Sequence, residues 1–147
     1  MKKQAYMIMT VIMLVTVAGL STAKAQTIRN AQLRANIPFT FSFGEKTLPA
    51  GEYILERMNP DSSMKILQLR SKAGHVSALI QTSSVIGKID DNARLVFYRY
   101  GDQYFFAQAW LPSDNIGMQA PKSRTEKSRE LAREKRSTET VVATVRR

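Results

Sequence analysis

The stretch "RLVFYRYGDQYFFAQAWL", residues 94–111, holds two apolar runs separated by Gly101-Asp102. Glycine takes the first central position of a type II′ turn without strain, so this dipeptide reads as a two-residue hairpin loop. Pairing Tyr100 with Gln103 places Tyr98 opposite Phe105 and Phe97 opposite Phe106. One face then carries Val96, Tyr98, Tyr100, Phe105 and Ala107. The other carries Leu95, Phe97, Tyr104, Phe106 and Trp110. A strand pair that is apolar on both faces belongs in the middle of a fold, covered on both sides.

Outward from the hairpin, the chain reads as short strands divided by turn chemistry. Phe39, Phe41 and Phe43 alternate with polar residues, the period of a half-buried strand. "FGEKTLPAGEY" (43–53) follows. Gly44 to Thr47 suits a tight reversal, and Leu48-Pro49-Ala50-Gly51 has the Pro and Gly placement of a type I turn. Glu52-Tyr53-Ile54 opens the next strand, so the stretch is a folding instruction rather than a ligand loop. "NPDSS" (59–63) ends that strand. "MKILQLR" (64–70) sets Met64, Ile66 and Gln68 opposite Lys65, Leu67 and Leu69. "SKAG" (71–74) turns into "HVSALIQT" (75–82), and the polar "GKIDDN" (87–92) leads back to the hairpin. The expected fold is all-β, a β-sandwich or a small antiparallel barrel of six or seven strands, followed by a C-terminal polar helix.

The ends of the chain differ in character from this body. Met1-Lys2-Lys3 precedes Ala5 to Leu20, a run of 16 residues without charge, and Ala23-Lys24-Ala25 matches the small-x-small cleavage rule. Residues 1–25 therefore read as a secretory signal peptide cleaved between Ala25 and Gln26. The uncleaved-anchor alternative is disfavoured because a spanning helix needs about 20 apolar residues. No transmembrane span is expected after cleavage, and the location is the periplasm or the extracellular space. Cleavage removes Lys2, Lys3 and Lys24, lowering the net charge from +10 to +7. Export favours disulfides, yet the chain has no cysteine. Its stability must come from the core alone, and thiol catalysis and thiolate metal sites are excluded. Residues 26–121 carry ten Lys/Arg and eight Asp/Glu, whereas 122–147 carry nine and four. The chain thus divides into an antiparallel β domain, 26–121, and a basic helical tail, 122–147, with a short terminal strand.

"IPFTFSFGEKTLPAGEY", "LVFYRYGDQYFFAQAW" and the Lys/Arg/Glu-rich run after them together resemble a group of small secreted acidobacterial proteins across nearly the whole mature chain. The shared pattern is a phenylalanine-rich first strand, a G-x-K-x-L-P-A-G-x-Y reversal, an F-x-x-Y-G-x-x-Y-F hairpin and a charged tail. The resemblance implies bacterial export and a β-rich fold, and it carries over no catalytic residues.

Residue chemistry gives little support to catalysis. His75 is the only histidine, so a site with two or more histidine ligands is impossible, and no G-x-S-x-G elbow occurs. Asp90-Asp91 lie in a polar loop, and Glu52 and Glu56 flank a strand, so both pairs read as solvated charges. No cofactor, metal site or enzymatic activity is expected.

Two features suit binding instead. Seven of the twelve aromatic residues fall in 94–111. Tyr98, Tyr100, Tyr104 and Trp110 are the candidates for a glycan- or base-stacking groove, because each has a polar handle; core packing is the competing and stronger reading. In the tail, Ser123 to Glu126 is a capping-box pattern. Lys122, Arg124, Lys127, Arg129, Arg133, Lys135 and Arg136 are the candidates for contact with an anionic envelope polymer; nucleic acid is a less favoured partner. "TVVATV" (140–145) reads as a strand that pairs with a sheet edge or adds to another chain. The expected role is that of an exported, envelope-associated structural or binding protein, the alternative being a polyanion- or glycan-binding module.

Overall fold

The computed structural model of the chain describes residues 31–58, 62–74 and 77–146. The expected signal peptide with its Ala25/Gln26 junction, the centre of the 59–63 turn and His75 lie outside the described residues. Ten strands are present among those described: β1 Gln32–Ile37, β2 Phe41–Phe43, β3 Lys46–Leu48, β4 Gly51–Met58, β5 Lys65–Ser71, β6 Ser77–Ile86, β7 Ala93–Tyr100, β8 Gln103–Trp110, β9 Ile116–Gln119 and β10 Arg136–Arg146. One helix, α1 Arg124–Leu131, joins β9 to β10.

The architecture is the barrel rather than the sandwich. Eight strands follow one another in the order β8-β7-β10-β1-β4-β5-β6-β9, and β9 pairs back onto β8 to close an antiparallel ring. Closure removes the unpaired edges that a sandwich leaves. Strand alternation fills the interior: Leu33, Ala35 and Ile37 from β1, Tyr53 and Leu55 from β4, Leu67 and Leu69 from β5, and Leu95 and Phe97 from β7 all point inward and are buried. The strands not foreseen are β1, β3 and β9. β3 and β9 span only three or four residues, too few for a periodic signal.

Gly101 adopts φ 56°, and the hairpin pairs Tyr100 with Gln103, Tyr98 with Phe105 and Phe97 with Phe106, as the turn chemistry predicts. The register then shifts. Val96 pairs with Gln108, leaving Ala107 as the extra residue of a β-bulge. Beyond the bulge the two faces exchange, so Ala109 enters the core and Trp110 turns outward, opposite Arg94. Trp110 therefore does not share a face with Leu95 and Phe97.

One end of the barrel is plugged. Residues 38–40 carry the chain from β1 to β2, which pairs in parallel with β8. Since β10 and β7 lie between β1 and β8, this connection crosses the end of the barrel. The alternating phenylalanines are thus divided between a crossing and a strand. Phe39 stacks on Tyr104 with ring centroids 3.9 Å apart and meets Phe97 edge-on at 5.2 Å. Phe41 meets Phe97 at 5.4 Å and Tyr53 at 5.3 Å. Such pairs contribute about 0.5–1.5 kcal/mol each beyond their burial.

The 43–53 stretch performs the reversal its sequence encodes. Gly44 has φ 61° between β2 and β3, and a Cβ there would come within 2.9 Å of Ile80 Cγ2. Tyr53 Oη donates to the Pro49 carbonyl at 2.7 Å, pinning the second turn to the strand that follows it.

The tail is integral to the barrel. Ser123 Oγ accepts from the Glu126 amide at 3.1 Å, forming the expected N-cap of α1. The expected short terminal strand is instead β10, eleven residues long and hydrogen-bonded to β7 on one side and β1 on the other. Residues 26–121 are consequently not a closed unit. The sheet-edge pairing foreseen for 140–145 is made within the chain, with β7 up to Ala143 and with β1 from Thr144 onward.

Candidate functional site at the open mouth of the barrel

The four aromatic candidates do not form a groove. Tyr104 belongs to the plug, with the Arg99 guanidinium 5.4 Å from its ring centroid. Tyr98 lies on the outer face beneath Arg136, at 4.5 Å. Tyr100 is 2% exposed and meets Phe105 edge-on. Trp110 is 5% exposed, and its Nε1 donates to Gln108 Oε1 at 3.1 Å. The loop after β6 covers the indole. A Cβ on Gly87 would lie 2.3 Å from Trp110 Cη2, and one on Gly117 2.8 Å from the ring. Arg94 completes the enclosure at 5.1 Å and is itself held to Asp90 at 2.7 Å. The Asn92 amide, foremost, and then Arg94 hold the Asp90 carboxyl below its usual pKa.

The basic candidates are partly neutralised. Lys122 Nζ contacts Glu130 at 2.6 Å, which raises the lysine pKa and lowers that of the glutamate. Arg129 pairs with Glu134 at 2.7 Å, and Arg136 is spent on Tyr98. Arg124, Lys127, Arg133 and Lys135 are exposed and form no ion pair among the described residues. Glu126 is 3% exposed, and burial pushes its carboxyl pKa upward.

The end opposite the plug is open. A cavity of about 300 Å³ lies there, between the start of β1, the end of β4, the start of β5 and the β8–β9 connection. Leu33, Leu55 and Leu67, each at most 3% exposed, form its floor. Leu111 and Met118 line its wall, and Arg57 and Lys65 stand at its lip. Both cations point inward by strand alternation: Arg57 continues the row of Tyr53 and Leu55, and Lys65 the row of Leu67 and Leu69. The sequence held this signal, since Lys65 is in phase with Leu67 and Leu69. What it lacked was the closure that turns the phase into a cavity.

Around the mouth, Met58, Met64, Ile86 and Ile116 are exposed apolar side chains at the ends of their strands or beside them. Among the described residues there is no cluster of three His, Cys, Asp or Glu able to hold a metal ion. No helix among them is long and apolar enough to cross a membrane. No family model, curated protein or solved structure matches the chain.

Proposed function

We propose that this chain is an exported, non-enzymatic binding protein of a bacterial envelope, and that its site is the barrel mouth. The observation that carries the reading is the asymmetry of the barrel. Aromatic rings fill one end, while the other keeps a cavity with an apolar floor and two inward cations. Small-molecule sites have this character, concave and mostly apolar with a few placed polar groups, and barrel mouths are among their usual locations. The secretory pattern of residues 1–25 supports the export part of the reading. The non-enzymatic part is supported by the acids: Glu52, Asp90 and Glu130 are held by Lys72, Arg94 and Lys122, and Glu126 is buried at the start of α1.

The test uses N-phenyl-1-naphthylamine, a neutral apolar fluorophore. Its emission is expected to rise on mixing with the protein and to fall back when Met118→Trp fills the cavity wall. Unchanged emission with the wild-type protein, or an equal rise with the folded Met118→Trp variant, rejects the mouth as the site.

A second reading rests on Arg124, Lys127, Arg133 and Lys135, the exposed cations of α1 and the turn after it. They form a patch suited to an anionic envelope polymer. Binding of this kind weakens steeply with added salt, so salt-independent retention on a heparin matrix, or none at low salt, argues against it.

A further inference from the structure

We infer that the occupant of the mouth is a single-chain amphiphile with an anionic head, held at the lip by Arg57 and Lys65 with its chain on the leucine floor. This inference rests on the mouth being the binding site. It is carried by the charge balance of the lip. Arg57 Nε is buried and has no hydrogen-bond partner among the described residues. Among the described residues its Nη2 reaches only the Ser62 carbonyl, at 3.4 Å, the long limit of a hydrogen bond. Lys65 Nζ donates to a neutral group, Ser84 Oγ.

Of the two acids lining the same cavity, Glu56 is engaged by other partners. Glu56 accepts from Arg70 at 2.8 Å and from Gln32 at 2.9 Å. Asp114 accepts from the Ile116 amide at 2.8 Å and forms no ion pair among the described residues, so Arg57 and Lys65 outnumber it two to one. The lip therefore presents cationic donors that the described residues do not neutralise, above a floor that offers only hydrocarbon. A buried guanidinium nitrogen left without an acceptor is costly, and a carboxylate or phosphate oxygen is the acceptor that suits it best.

The remaining features select the rest of the molecule. A floor of Leu33, Leu55 and Leu67 suits an aliphatic chain. A volume of about 300 Å³ is at the small end of ligand cavities, which favours one chain over two. Met64, Ile86 and Ile116, between 49% and 80% exposed, give that chain an apolar path at the entrance.

The experiment compares dodecanoate, dodecyl phosphate and dodecanol, each below its aggregation concentration. Binding is followed through the methyl signals of Met58, Met64 and Met118 in methyl-labelled protein. All three residues lie at the mouth, so their shifts locate the binding without a variant. Dodecanoate, dodecyl phosphate or both are expected to bind at least about tenfold more tightly than dodecanol, the worth of one or two charge-assisted hydrogen bonds. Which of the two binds more tightly identifies a carboxylate or a phosphate head. Arg57→Gln should remove most of that advantage and leave dodecanol unaffected. Equal binding of all three, with Met118 shifted, overturns the anionic head and leaves the mouth as a binding site. No shift with any of them overturns both.

Discussion

Glu126 combines a favourable contact with an unfavourable one. Its amide completes the N-cap with Ser123, one half of the capping box that the Ser-x-x-Glu spacing predicts. The same geometry buries the carboxyl and leaves Oε1 without a partner among the described residues. Burial, the dominant cause, raises the pKa above the ordinary 4.5, outweighing the opposing charges of Lys122 and Arg136. A raised carboxyl pKa means that the folded protein holds the proton more tightly than the unfolded chain. Stability from this group is complete below pH 4.5 and declines as pH rises through the folded pKa. Glu126→Gln is therefore expected to flatten that decline, gaining about 1 kcal/mol relative to the wild type between acid and neutral pH. Urea unfolding at pH 4 and pH 7 measures it, and a difference that stays constant or shrinks with pH contradicts it. Tyr53 is the converse case. Its hydroxyl is satisfied by Pro49 and its ring is 3% exposed, so Tyr53→Phe should cost about 1 kcal/mol in the same assay. The tyrosine that ends the reversal signature is there for this bond.

Elements show where local reading succeeds and where it stops. The hairpin register is fixed by two residues and their neighbours, so Gly101-Asp102 predicts it correctly. The bulge at Ala107 is set by what β8 meets on its other edge, β2 over its first half and β9 over its second. No pattern within 94–111 announces it, and Trp110 is consequently expected on the wrong face. The glycines that receive the indole lie seven and 23 positions from it, in segments that read only as loop and short strand. Their role yields a prediction. Gly87→Ala forces a methyl group into the ring and should destabilise by about 1–3 kcal/mol, as overpacking does. Combined with Trp110→Phe, the loss should be less than the sum of the two, because the smaller ring makes room. Additive losses in thermal or urea melts show that the contact is not what matters. The candidate site followed the same division. The inward phase of Lys65 was legible in "MKILQLR", whereas the neighbours that turn it into a lip come from β1, β4 and β9.

Over the whole molecule, the expected boundary near Pro121 marks a change in composition and not in structure. Charge clustering suggested an appended tail, because a polar helix with few apolar residues has no face of its own to bury. The strand after it is read as short since only "TVVATV" is apolar, while 136–140 pair with Tyr100 to Val96 through polar residues. Deleting residues 136–147 strips a partner from both β7 and β1. The expected product shows no cooperative unfolding transition and associates through its exposed edges, as sedimentation and circular dichroism melts would reveal. A sharp melt near that of the intact chain contradicts the central place of β10.

That place also sets an order of events. β1 begins the described barrel and β10 ends it, yet the two are neighbours, with Thr144 Oγ1 reaching the Arg34 carbonyl across 110 positions. A chain made from its N-terminus presents β1 early and must wait for its last residues before the ring can shut. Contacts of such long sequence separation form slowly. Until then the ring stays open, so β10 acts as a drawstring pulled last, an order that would suit the proposed export of an unfolded chain.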